Sequence, residues 1–123
     1  MYYLTKTFTF DSAHKLVGYD GLCANMHGHT YKIEIIIKGT ELNKLGLLLD
    51  FNELKDICKK HIIEVCDHKI LNEVKLFRDQ NPTAEFMAKI FFDILKEQLK
   101  GNAVIHAVGV WETPTSQATY QED

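Results

Sequence analysis

From Tyr2 to Phe10 the chain alternates, with Tyr2, Leu4, Phe8 and Phe10 on one side and Tyr3, Thr5, Thr7 and Thr9 on the other. An extended backbone projects successive side chains to opposite faces, so this period of two predicts a half-buried strand. A loop of glycine and small residues follows from Val17 to Met26. A second strand is predicted from about His27 to Lys38, with Tyr31, Ile33, Ile35 and Ile37 on one face. Gly39 to Gly46 reads as a turn, and Leu47 to Leu49 as a short apolar strand end.

The period then changes. Asp50 with Glu53 three residues on has the form of a helix N-cap and its carboxylate partner. Phe51, Leu54, Ile57, Cys58, Ile62 and Val65 repeat at helical spacing behind it. A polar stretch, Asp67 to Asn81, precedes a second helix. Pro82 suits that helix's first turn, and Ala84, Met87, Ala88, Phe91, Ile94 and Leu95 form its apolar stripe. Gly101 is its expected stop.

Two strands close the chain, Ala103 to Glu112 and Ser116 to Gln121, joined by Thr113-Pro114-Thr115. The order ββααββ predicts an α+β fold: a four-stranded antiparallel sheet with two helices on one face. The other face must meet solvent, a ligand or another subunit. At 123 residues the chain is expected to form a single domain spanning 1–123.

Composition narrows the function. With 46% hydrophobic and 25% charged residues the chain reads as a soluble globular protein. No apolar run reaches the length of about 18 residues that a membrane span needs, so no membrane partner is expected. The N-terminus lacks a basic segment followed by an apolar core, which predicts a cytoplasmic protein. A net charge of −3 without a basic cluster argues against a nucleic-acid partner. Three cysteines, Cys23, Cys58 and Cys66, are an odd number without an export signal, so a disulfide framework is not expected.

The chemistry is densest at Cys23-Ala-Asn-Met-His27-Gly-His29. Residues two apart in a strand point the same way, so His27 and His29 can face one ion, with Gly28 leaving space between them. A catalytic zinc takes three protein ligands and keeps one position open. His14, just past the first strand, becomes the third ligand if the first two strands form a hairpin. The same spacing also fits surface histidines at strand ends. A thiol acts as base or nucleophile only as thiolate, which a nearby cation favours, so Cys23 is either a catalytic group or a fourth ligand. Cys58 and Cys66 read as buried and inert. Asp67-His68 fits a proton relay or an ordinary polar loop start. Glu112 ends an apolar strand and either pairs with a cationic or amidine-like ligand group or lies exposed at the strand end.

Together these segments resemble the family of 6-pyruvoyltetrahydropterin and 6-carboxytetrahydropterin synthases over nearly the whole chain. The resemblance runs through Phe10-Asp-Ser-Ala-His14, Cys23-x-x-x-His27-Gly-His29, Asp50-Phe-x-Glu-Leu-Lys55, Asp67-His68-x-x-Leu71-Asn72, Asn81-Pro-Thr-x-Glu85 and Glu112-Thr113. It implies that His14, His27 and His29 hold Zn2+, that Cys23 is the general base, and that Asp67 and His68 complete the proton-transfer set. It implies further that Glu112 grips the 2-amino group and N3 of a pterin, with Thr83 beside the ring. The implied fold is the tunnelling fold, in which trimers close a barrel and two trimers stack into a homohexamer, with sites between subunits.

The three residues between Cys23 and His27, and Asp50-Phe51, resemble the bacterial 6-carboxytetrahydropterin synthases of queuosine (7-deazaguanine) biosynthesis. These convert 7,8-dihydroneopterin triphosphate to 6-carboxytetrahydropterin, acetaldehyde and triphosphate. The alternative is the pyruvoyl enzyme, which eliminates triphosphate and keeps the side-chain carbons. No lysine or arginine stands out as a triphosphate clamp; Lys15 lies in or near the site loop. Two readings outside the family are a three-histidine zinc hydratase or hydrolase, with no role for Cys23 or Glu112, and a non-catalytic zinc-binding module closed by Cys23.

Overall fold

The computed structural model describes residues 1–123. The elements run β1 (Tyr2–His14), β2 (His27–Gly39), α1 (Phe51–Cys58), a π-helical turn (Lys59–Ile63), α2 (Glu64–Cys66), β3 (Lys69–Ile70), α3 (Ala84–Gln98), β4 (Val104–Thr113) and β5 (Ser116–Gln121). The α+β class and the two helical segments on one face of the sheet follow the expectation. The sheet does not: it has five strands in the order β3-β1-β2-β4-β5, and β3 runs parallel to β1, so it is mixed rather than four-stranded and antiparallel. β3 is two residues long, Lys69 and Ile70 beside Ser12 and Ala13. A pair of residues has no period to read.

β1 also runs four residues further than its alternation. Asp11 to His14 are polar or small, and their strand geometry comes from pairing with β2 in a register that sets Ser12 opposite His29 and His14 opposite His27. His14 is therefore a strand residue, not a loop residue past the strand end.

Asp50 caps α1 by accepting from the Asn52 N–H at 2.8 Å. Buried Leu54, Cys58, Ile62 and Cys66 stand four residues apart along the α1–π–α2 rod. Steps of four drift by about 40° each on a 3.6-residue helix. The π turn, with its wider i→i+5 bonding, unwinds the rod and keeps this stripe on the sheet. α3 starts where its apolar stripe does, at Ala84, which leaves Pro82 outside its first turn. Thr83, not Pro82, is at its boundary, and the Thr83 hydroxyl caps it by accepting from Phe86 N–H at 3.1 Å. Leu47 to Leu49 form no strand; Leu48 and Leu49 are bends.

The core lies between the helices and one sheet face, where Phe10, Tyr31, Ile33, Ile35, Ile37, Val108 and Val110 meet Leu54, Ile62, Met87, Phe91 and Leu95. Following those strand faces toward one end of the sheet leads from Phe10 to Ser12 and His14, from Tyr31 to His29 and His27, and from Val110 to Glu112. The core face thus runs out directly into the residues singled out for chemistry. The opposite face, with Thr5, Thr7, Thr9, Lys32 and Thr119 exposed on it, carries no helix. No helix is long and apolar enough to cross a membrane.

Candidate active site

His14, His27 and His29 come together at the end of the core face, with one ring nitrogen from each lying within 4.8 Å of the others. The three rings stand nearly edge to face, their centroids 4.6, 5.1 and 4.9 Å apart. His14 is 1% exposed, and Tyr31 packs beside His14 and His29.

The hydrogen bonds decide which nitrogens are free. His14 Nδ1 lies 2.8 Å from the Pro82 carbonyl, and His27 Nδ1 lies 2.7 Å from the Asn25 carbonyl. A carbonyl only accepts, so each Nδ1 carries the proton and each Nε2 of a neutral ring presents a lone pair. Yet those two Nε2 atoms face one another at 3.1 Å. His29 Nε2, buried in the same cluster, has no hydrogen-bond partner. One proton between His14 and His27 would satisfy two lone pairs and leave the third. A metal ion satisfies all three. Carbonyls that orient metal-binding imidazoles through the other nitrogen are the usual outer support of such sites. Burial lowers the His29 pKa; Glu112 raises it, and His14 and His27 lower it further. Burial and the neighbouring rings thus favour the neutral, ligating form. The residues fit a cation bound by three imidazoles.

Glu112 reaches the cluster from β4, with Oε1 3.4 Å from His14 Nε2 and 3.7 Å from His29 Nε2, its side chain 33% exposed. It also lines a cleft of about 570 Å³ with His29, Lys32, Trp111, Thr113 and Pro114. The carboxylate therefore stands between the histidines and a space large enough for a small bicyclic ligand. Gly28 borders this cleft too. A β-carbon there would meet only the Ser12 carbonyl, at an ordinary 3.6 Å, so contacts within the chain do not require the glycine.

Cys23 is half-buried in a 3₁₀ turn (Leu22–Ala24), and its sulfur does not join the three imidazoles. The chain does not form the closed three-histidine, one-cysteine arrangement of a structural zinc module. Cys58 and Cys66 are buried, and burial pushes both thiols up to about 12, as expected for inert groups. Thr83 follows the proline that holds His14, but its hydroxyl caps α3.

Asp67 and His68 form a pair of their own, His68 Nδ1 to Asp67 Oδ2 at 3.0 Å, with the His68 side chain 78% exposed. Asp67 Oδ1 also accepts from Asp11 N–H at 3.0 Å, and His68 N–H donates to the Asp11 carbonyl at 2.7 Å. His68 adopts φ 58°, a left-handed conformation that turns the chain from α2 into β3. His68 borders a second cleft, about 530 Å³, with Asp11, Ala13, Gly28, His29 and Thr30. Within one chain the pair does not join the histidine cluster.

The Asp11 amide, then the His68 imidazole, hold the Asp67 carboxyl below the usual carboxylate range. A depressed folded-state pKa stabilises the fold above the unfolded value of about 3.9, and that contribution is lost as pH falls through the folded value. Asp67→Asn should therefore lower the urea midpoint at pH 6 to 7, with the gap to the unsubstituted protein closing below about pH 4. An equal gap at pH 3 and pH 7 would show that the charge is not its source.

Sequence reasoning missed the carbonyls of Pro82 and Asn25, Tyr31, and a third cleft of about 440 Å³ lined by Lys15, Asn72, Arg78, Asp79 and Asn81. Backbone oxygens carry no residue signature, and Tyr31 reads as one more member of an apolar strand face. Arg78 is the chain's single arginine, which was the available signal.

Fold and site together define a class: an α+β domain whose core face ends in three convergent imidazoles able to hold a metal ion, beside a carboxylate-lined cleft. The sequence pattern of 6-pyruvoyl tetrahydropterin synthase matches residues 3–123, and the chain belongs to that family of pterin-forming lyases. It is 38% identical to the 6-carboxy-5,6,7,8-tetrahydropterin synthase of Haemophilus influenzae, over 99% of this chain and all of that protein. It is 30% identical to the 6-pyruvoyl tetrahydrobiopterin synthase of Drosophila melanogaster, over 97% of this chain and 79% of that one. Its fold matches the Caenorhabditis elegans 6-pyruvoyl tetrahydropterin synthase with a TM-score of 0.88 at 25% identity, covering 99% of this chain and 96% of that chain.

Proposed function

We propose that this protein is a zinc-dependent 6-carboxytetrahydropterin synthase. It converts 7,8-dihydroneopterin triphosphate and one water to 6-carboxy-5,6,7,8-tetrahydropterin, acetaldehyde and triphosphate in the cytoplasmic route to queuosine and other 7-deazaguanines. The observation that carries the reading is the convergence of three imidazole nitrogens, one of them buried without a partner, beside the Glu112 cleft.

His14, His27 and His29 would hold the ion, and three neutral imidazoles leave it a Lewis acid toward the oxygens of the substrate's side chain. Glu112 accepts two parallel N–H bonds from the 2-amino group and N3 of the pterin, which fixes the ring in the cleft of Trp111 and Thr113. Thr83 stands beside the ring. Cys23, as thiolate, removes a proton from the side chain. His68, with Nδ1 turned to Asp67, presents Nε2 for the second proton transfer. The triphosphate lies toward Lys15 and Arg78.

Because Asp67 and His68 stand apart from the three imidazoles within one chain, the complete set assembles between copies, in a tunnelling-fold homohexamer of stacked trimers. Support comes from the uncovered sheet face and from two free edges: Tyr2–Asp11 of β1 and all of β5 pair on one side only.

The named relatives favour both products, carboxy through the H. influenzae protein and pyruvoyl through the D. melanogaster protein, so the product is the test. Zinc-loaded protein is incubated anaerobically with 7,8-dihydroneopterin triphosphate and products are resolved by mass spectrometry. Acetaldehyde with 6-carboxytetrahydropterin is expected, with turnover down by about 10² in Cys23→Ala, the loss of a general base. Triphosphate loss with the three-carbon side chain retained would move the assignment to the pyruvoyl enzyme. Unchanged substrate with zinc bound would sink both.

A further inference from the structure

Asn72 and Asn81 each commit both ends of a carboxamide to the backbone of one short segment. Asn72 Oδ1 accepts from the Lys15 N–H at 3.0 Å, and its Nδ2 donates to the Lys15 carbonyl at 3.0 Å. Asn81 treats Val17 the same way, at 2.8 and 3.0 Å. In extended backbone the N–H and C=O of alternate residues point to one side, as they do in a sheet ladder. The two side chains therefore act as a substitute strand for the three residues just beyond β1.

Leu16, between them, turns its N–H the other way and donates to the Cys23 carbonyl at 2.8 Å. That is the one backbone hydrogen bond joining the two arms of the loop between β1 and β2; the other two within it, Ala24 to Gly21 and Asn25 to Leu22, are local turns. Residues 17–22 are exposed, Gly18 has φ +85° and open space around it, and the Tyr19 ring beside Gly21 is a contact within the loop itself. Asn72 sits in the 3₁₀ turn Leu71–Glu73 that follows β3, and Asn81 next to the proline that orients His14. The same scaffold that sets the histidines thus also sets the thiol.

We propose that Asn72 and Asn81 are positioning residues that fix Lys15–Val17 and, through the Leu16 to Cys23 bond, hold the Cys23 thiol in register with the histidine centre. The proposal deepens the active-site reading above and rests on Cys23 acting as the base. A carboxylate of the same shape still accepts from the N–H but cannot donate to the carbonyl, so Asn72→Asp and Asn81→Asp remove half of each clamp with little change of volume.

In the zinc-loaded full-length protein, the Leu16 amide should exchange slowly, and about 10²-fold faster in either variant. Alkylation of Cys23 by iodoacetamide should change at least about threefold in rate, and kcat should fall about tenfold with zinc content unchanged. The double variant should lose little more than either single one, since both side chains hold one segment. Asn43→Asp, which adds the same charge elsewhere on the surface and keeps both bonds that Asn43 accepts from the Leu45 and Leu47 N–H groups, should leave kcat within about twofold. An unprotected Leu16 amide in the unsubstituted protein overturns the clamp whether or not a variant folds. So does wild-type kcat in either aspartate variant, or a fall in kcat with Leu16 exchange and alkylation unchanged. If Cys23→Ala turns over normally, the base assignment fails, while exchange and alkylation still judge the clamp.

Discussion

His29→Ala is expected to lower turnover at least about 10³-fold and to leave the protein unable to retain zinc through dialysis. A bound cation contributes several kcal/mol to stabilising charge in the transition state, and about 4 kcal/mol is a factor of about 10³. The effect on the fold has a different sign. His29 Nε2 is buried without a partner in the metal-free chain, and removing an unsatisfied buried polar atom relieves a penalty of about 1–3 kcal/mol. Metal-free His29→Ala should therefore melt no lower than the metal-free parent. Added zinc should raise the parent's melting temperature, since it binds the folded state, and should leave the variant's unchanged. One zinc per chain in the variant, with parental turnover, would remove His29 from the ligand set and with it the three-imidazole centre.

Periodicity made most of the fold legible because most of its elements are long and have one buried face. Tyr31 to Ile37 show a strand at a glance, and the stripe of Met87, Ala88, Phe91 and Leu95 shows a helix. Elements defined by partners were not legible. β3 exists because Lys69 and Ile70 lie beside Ser12 and Ala13, a contact formed only once the helical rod has brought the chain back across the sheet. The last turn of β1 is strand because β2 is opposite it. The π turn is invisible because Leu54, Cys58, Ile62 and Cys66 have a spacing that a plain helix nearly satisfies.

The site divides along the same line. His27 and His29 could be paired from spacing alone, and the hairpin register brings in His14 as the turn between strands suggests. Glu112 was ambiguous by sequence, since a strand-end carboxylate is commonly exposed. Its place depends on β4 lying beside β2, which puts Val110 in the core and Glu112 two residues on, against His14 and His29. Asp67 and His68 are adjacent in sequence and paired in space, but with Asp11 they form a group of their own, apart from the three imidazoles. Asn72 and Asn81 read as loop residues, because a carboxamide that mimics a strand has no pattern until its target backbone is known.

Glu112→Gln should lower kcat/KM about 10³-fold while leaving zinc content unchanged, which separates gripping the ring from binding the metal. Hydrogen bonds to a charged group are worth about 1.5–3 kcal/mol each, and the carboxylate offers two in parallel to an amidine-like ring edge. Glutamine keeps one acceptor and turns an N–H toward a donor, so it loses one bond and adds a repulsion. The metal-ligand alternative arises from the same geometry, because Oε1 lies 3.4 and 3.7 Å from two imidazole nitrogens. Were Glu112 a ligand, the amide would weaken zinc binding, and excess zinc would restore turnover. Were it the ring's partner, excess zinc would restore nothing. A pterin lacking the 2-amino group should then lose affinity for the parent protein but bind parent and Glu112→Gln with little difference. That last comparison ties Glu112 to one atom of the ligand, which neither burial nor distance to the histidines can do.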